Sequence, residues 1–270
     1  MTTTTAVTPR PAMPAQWWVL TVRFIAPTLR NGEVAMAIAA TAAFAAGFYL
    51  PLHELMGAAT RGISSSYAQY IMPLIALQGV SFAAISAAFR AATDSVEGIN
   101  RRFRSMPIAP LTPLAARMSA SVYRCAIALG IAILCGYIIG FRFYRGVEYT
   151  IGFCVLAIII GALLSFGADL IGTRARNPEA MTPLLTLPQL IFGLLSVGVQ
   201  PVEQFPGWIQ PIVRNQPISQ FVNALRALAG DTTEAASPVA WSAIWPTLWW
   251  LLGLTVVLVP LSAIVLARRP

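Results

Sequence analysis

Apolar residues along this chain run in long blocks separated by short polar islands. Six blocks, at roughly 33–52, 67–90, 115–140, 150–172, 182–200 and 239–267, are long enough to cross a bilayer core. Such a core is about 30 Å thick and takes about 20 residues at about 1.5 Å each. The polar turn "GTRARNPEAM" keeps the fourth and fifth blocks apart. The pattern predicts an all-α membrane protein with six transmembrane helices and both ends on the same side. Two further segments read as amphipathic. In "QWWVLTVRFIAPTLR", Arg23 and Arg30 share one helical face and Trp17, Leu20 and Phe24 another, which fits an interfacial helix over 17–32, broken or kinked by Pro27. In the long segment 201–238, "PISQFVNALRALAG" lines up Ile218, Phe221, Val222 and Leu225, with Pro217 near the start and Gly230 past the end. It predicts an external helix resting on or dipping into a leaflet. Trp241, Trp245, Trp249 and Trp250 open the last span as an aromatic belt.

Composition agrees. Only 10% of the 270 residues are charged, against about 25% in a soluble domain, and mean hydropathy is +0.70. All 18 basic residues are Arg. Without Lys there is no P-loop, whose Lys reaches the phosphates. A single His, His53, beside Glu54 at the end of the first span, speaks against His-pair metal sites and Ser-His hydrolases. Cys125, Cys135 and Cys154 lie in apolar runs without C-x-x-C spacing, so neither disulfide nor metal site is expected. The net charge of +8 is explained by positive-inside topology better than by nucleic acid. Placing the termini in the cytoplasm puts 12 Arg inside against 5 outside, with Arg124 inside the membrane. The Thr/Pro-rich start, residues 1–16, reads as a disordered cytoplasmic tail. Ala35, Ala39, Ala43 and Gly47 place a small residue at every fourth position of the first span, a spacing its Ala content alone would generate. Arg124 and Asp169 both lie near the inner ends of their spans, and mutual pairing would make each cheaper to bury.

The most charged stretch is the inner loop 91–114, between the second and third spans. It carries Asp94, Glu97, Gly98, Arg101, Arg102 and Arg104, then Pro107 and Pro110. A positive-inside loop accounts for the arginines but not for the carboxylates, nor for an amphipathic segment closed by prolines, which reads as a structured docking surface. The loop "GINRRFRSMPIAPLTPLAAR", the turn and helix "RNPEAMTPLLTLPQLIFGLLS" and the external "FPGWIQPIVRNQPISQFVNALRAL" resemble, in that order, three motifs of the ABC-2 permeases of the actinobacterial daunorubicin-resistance type. The resemblance spans about 17–268. One departure is "LLSVGVQ", where the family often has Phe-Leu-Ser before the outer loop.

The resemblance implies the ABC-2 permease fold over 33–267 and a half-transporter in the cytoplasmic membrane. Two permease chains, this one and a paralogue, would pair with two copies of a separate ATPase that holds the ATP and Mg. The loop would be a coupling helix, placing Asp94, Glu97, Gly98, Arg101, Arg102 and Arg104 at the ATPase, bounded by Pro107. Implied substrates are bulky amphiphiles: anthracycline drugs, or complex envelope lipids such as phthiocerol dimycocerosates. An apolar path would draw on Phe44, Phe48, Tyr67, Tyr70, Met72 and Phe192, each also readable as packing or lipid-facing. Gln78 and Ser81, one turn apart, suit a hydrogen bond to another helix better than to a head group. A proton-coupled transporter, a membrane enzyme and a non-transporting scaffold are competing functions. The first needs buried titratable groups on a path, and only Arg124 and Asp169 qualify; the second lacks clustered carboxylates and a catalytic His arrangement.

Overall fold

A computed structural model describes residues 13–30, 32–60, 63–106, 108–109, 111–232 and 239–267, all helix, turn or coil. The order is α1 (Met13–Arg30), α2 (Glu33–Ala59), α3 (Tyr67–Val96), α4 (Ile99–Ser105), α5 (Thr112–Ile139), α6 (Val147–Gly172), α7 (Met181–Leu194), α8 (Gln210–Asn215), α9 (Pro217–Ala229) and α10 (Trp241–Ala267), with a short 3-10 turn at Val202–Gln204. Residues 1–12 of the expected tail, and Pro107 and Pro110, lie outside the described residues. The interfacial helix starts four residues earlier than the sequence suggests and runs through Pro27 to Arg30.

Five helices, α2, α3, α5, α6 and α10, are long and apolar enough to cross a membrane. The fifth apolar block is not a full helix. α7 has 14 residues, roughly 21 Å at 1.5 Å each, too short for a core of about 30 Å. Beyond it, residues 195–200 continue along α3 as turns. Ser196, Val197 and Val199 are buried, as irregular backbone at membrane depth must be.

α3 is the mast of the bundle: 83% of its apolar stretch is buried, against 17% for α2 and for α10. Its start is fixed by Ser66, whose hydroxyl accepts from the Gln69 N–H at 3.1 Å, a side-chain N-cap. α3 packs on α6 so closely that a Cβ at Gly172 would collide with the Ala88 carbonyl. The main core joins α3 to α2, α5, α6 and α9 through Phe44, Tyr70, Leu129, Phe153 and Leu225. The small-residue stripe of α2 does not join it. Ala35, Ala39, Ala43 and Gly47 face outward, while Thr41, Phe44 and Ala45 turn in. α2, α5 and α7 rise from the end that carries α4, and α3, α6 and α10 return to it. α9 lies at the opposite end, buried at Phe221, Val222, Ala224 and Leu225. It is inserted into the bundle, deeper than a helix resting on a leaflet.

Candidate functional site

The charged island folds as a helix between two turns. Gly98, at φ 73°, takes the left-handed conformation that reverses the chain between α3 and α4. α4 then presents two apolar residues one turn apart, Ile99 and Phe103. Phe103 is buried with Leu20 and Ala116, and Phe24, Ile99 and Ile108 pack around them. Its ring meets Phe24 edge-on at 6.2 Å, and the Arg23 guanidinium lies over it at 5.8 Å, within cation–π range. α4 is therefore anchored on α1 and α5 while its Arg102 and Ser105 are exposed. Glu97 and Arg102 are exposed. Arg101 and Arg104 belong to α4, with side chains outside the described residues. Asp94 sits in the last turn of α3 and lines an internal polar cleft.

That cleft gathers Arg90, Asp94, Arg117, Ser121, Arg124 and Asp169 under α4. Arg90 pairs with Glu33 and also donates to Thr28 Oγ1 at 3.2 Å. The expected Arg124–Asp169 pair is not the one formed. Arg117 Nη2 donates to Asp169 Oδ2 at 3.2 Å, and Arg124 Nη2 donates to Ser121 Oγ at 3.0 Å. Arg117 and Arg124 are seven residues apart and share a face of α5, so the register of two antiparallel helices decides which one is level with Asp169. Nε and Nη1 of Arg124 are buried without a hydrogen-bond partner among the described residues.

At the other end, polar side chains complete the broken span. The Tyr67 hydroxyl donates to Val199 O at 3.3 Å and the Tyr70 hydroxyl to Val197 O at 2.7 Å. Gln216 Nε2 donates to Phe192 O at 3.2 Å and also to Leu195 O, among the carbonyls a helix end leaves free. Ser219 Oγ accepts from the Val197 N–H at 3.2 Å. Arg226 Nη2 reaches Tyr70 O and Val197 O at 3.1 and 3.0 Å, and its guanidinium carbon stands 3.9 Å from the Tyr70 ring centre. Asp231 ties this end to the α2–α3 connection, accepting from Ser64 Oγ at 2.6 Å and Ser65 N at 2.8 Å. Partial burial pushes its carboxyl up, but the bonds from Ser64, Ser65 and Thr232 outweigh that and hold it below its ordinary value.

Most of the expected path residues are packed inside the bundle. Phe44, Tyr67, Tyr70 and Met72 are buried in the core and Phe48 packs against it, because α3 is central and both tyrosines are held by the break after α7. Gln78 bonds to Gln189 of α7, a helix-to-helix contact. Phe192 is exposed and borders a groove. His53 lies 4.0 Å from Glu54 on the surface. The residues that sequence reasoning passed over are Phe103, Arg117, Gln216, Ser219 and Arg226. Only Phe103 left a local signal, its spacing of four from Ile99 inside a charged stretch.

α7 divides the flank of α3 into two grooves of about 390 Å³ each, within the size range of small-molecule sites. Between α7 and α10 the lining is apolar apart from Ser81 and Gln189, with Leu77, Phe192, Phe221 and Leu258. Between α2 and α7 it is apolar along Ala37, Ala40 and Phe82 but ends on Thr28, Glu33 and Arg124.

A bundle of apolar spans, a short anchored helix between the second and third, and an inserted helix before the last define a membrane permease. Residues 35–264 match the ABC-2 family transporter protein family, and the chain belongs to it. It is 60% identical over 259 residues to the doxorubicin resistance ABC transporter permease protein DrrB of Mycobacterium tuberculosis, covering 94% of this chain and 90% of that one. It is 29% identical to the daunorubicin resistance permease DrrB1 of Streptomyces coeruleorubidus, over 68% of this chain and 65% of that one. To the probable doxorubicin resistance permease DrrC of M. tuberculosis it is 26% identical, over 59% and 57%. The chain is accordingly a permease subunit, not itself an enzyme.

Proposed function

We propose that this permease works in an ATP-driven exporter, paired with a second, paralogous permease and two copies of a separate ATPase that binds ATP and Mg. Its termini lie in the cytoplasm, and its cargo is bulky and amphiphilic: an anthracycline-type drug or a complex envelope lipid such as a phthiocerol dimycocerosate. The observation that carries the reading is α4. A seven-residue helix anchored by Phe103, with Arg102 exposed on it and Glu97 exposed in the turn before it, has the form of a docking element that passes motion to α1 and α5. The names of the relatives support the drug class, and the match to both DrrB and DrrC supports a paralogous pair. Wide, mostly apolar grooves suit a greasy cargo better than an ion.

The test is a side-by-side pull-down of the ATPase and an efflux assay in cells. Glu97→Arg and Arg102→Glu each remove a charge-assisted contact, so ATPase affinity should fall about ten- to a hundredfold and export with it. The exposed Arg214→Glu, on α8 at the far end, should change neither. Full ATPase binding and full export in both variants would reduce this charged stretch to a topology signal.

A further inference from the structure

The groove between α2 and α7 has a chemistry that docking and the broken span do not use. Its rim residues Met36, Phe89 and Thr182 are exposed, so it opens on the flank of the bundle. Its length is apolar, along Ala37, Ala40 and Phe82. Its polar end holds three buried atoms, two donors and one acceptor. Arg124 is 8% exposed, and Nε and Nη1, carrying three of the five N–H donors of a guanidinium, have no acceptor among the described residues. Glu33 Oε2 has no donor there either. No neighbouring carboxylate bonds those two atoms: Glu33 Oε1 is engaged by Arg90 and Asp169 Oδ2 by Arg117, Asp94 lines the cleft beyond, and Asp169 favours the Arg124 cation by its charge. Cations and carboxylates in the cluster balance in number, so the groove offers unmade hydrogen bonds of both signs more than surplus charge. A buried guanidinium makes its strongest bonds with an oxyanion such as phosphate, and a carboxylate oxygen makes its strongest with an ammonium.

We propose that this groove is a binding site for a zwitterionic phospholipid with a primary amine. Its phosphate meets Arg124, its ammonium meets Glu33 Oε2, and an acyl chain lies along Ala37, Ala40 and Phe82. This lipid occupies the groove independently of which cargo the exporter moves.

The experiment titrates the purified full-length chain with defined lipids and counts bound lipid by native mass spectrometry. Phosphatidylethanolamine should bind about tenfold or more tightly than phosphatidylcholine, whose head has no N–H donor, and more tightly than phosphatidylglycerol, which has no cation. Arg124→Gln should lower binding of phosphatidylethanolamine and phosphatidylglycerol alike, by about ten- to a hundredfold. Glu33→Gln should erase the advantage of the former over the latter. Ala37→Trp fills the apolar part of the groove from a peripheral helix without touching a charge, and should abolish binding even if the charge variants fail to fold. Soluble phosphoethanolamine should not compete at equal concentration. Equal binding of all three lipids, undiminished binding in Ala37→Trp, or full competition by phosphoethanolamine would each overturn the assignment.

Discussion

The two ends of the bundle handle buried polarity by opposite means. Under α4, charge answers charge: Arg90 with Glu33 and Arg117 with Asp169, with Arg124 beside them. At the α9 end a half-buried cation, Arg226, is held by carbonyls and the face of Tyr70. One carboxylate, Asp231, is held by hydroxyl and N–H donors. At the first end the sign of each group matters because its partner is another ion. At the second the geometry matters, because the partners are fixed dipoles of the main chain. Charge reversal should therefore be repairable by a second reversal at the α4 end and not at the other.

The largest effect should come from Asp169→Ala. It leaves Arg117 without its carboxylate, and breaking a buried pair costs about 3–5 kcal/mol. Thermal unfolding in detergent should show the loss. The swap Arg117→Asp with Asp169→Arg should recover part of it, and the swap of Arg124 with Asp169 should not. Recovery by the Arg124 swap instead would restore the pairing read from sequence. Next in size is Gln216→Ala at the α9 end. It strips donors from Phe192 O and Leu195 O, and a buried group left unsatisfied costs about 1–3 kcal/mol. No charge introduced nearby should rescue it, whereas Gln216→Asn should fail for want of reach. If Gln216→Ala unfolds at the wild-type temperature, the break after α7 is held by something other than this side chain.

The smallest effect concerns acid. The Asp231 carboxyl is depressed in the folded chain, so its stabilisation is fully present above the ordinary carboxylate range. It fades as pH falls through that range toward the lower folded value. Unfolding temperatures measured from neutral to acid pH should therefore decline less steeply in Asp231→Asn, which is already weakened at neutral pH. An acid slope identical to wild type would remove Asp231 from the account.

Hydropathy made the long spans legible because a run of apolar residues has few other uses. Pro217 and Gly230 marked α9 for the same local reason. What escaped was set by partners far along the chain. "LLSVGVQ" is apolar enough to read as more helix, and it unwinds only because Gln216, Ser219 and Arg226, twenty or more residues on, satisfy its backbone. The choice of Arg117 over Arg124 turns on helix register, which a shared helical face cannot give. α4 was legible as a helix from its amphipathic segment, but the depth of Asp94 was not, since α3 extends through it to Val96.

The broken span also limits how the molecule can move. Gln216, Ser219 and Arg226 bind α9 to the turns after α7 through bonds that share residues: Val197 alone engages Ser219 at its N–H, and Tyr70 and Arg226 at its carbonyl. A small slide of α9 against α7 would strand several buried groups together before any new partner came into reach. Intermediate positions are therefore penalised, and the two should travel as a single rigid body. Labels placed one on α7 and one on α9 would keep a constant separation through a transport cycle, while either of them would change its distance to α2 or α10.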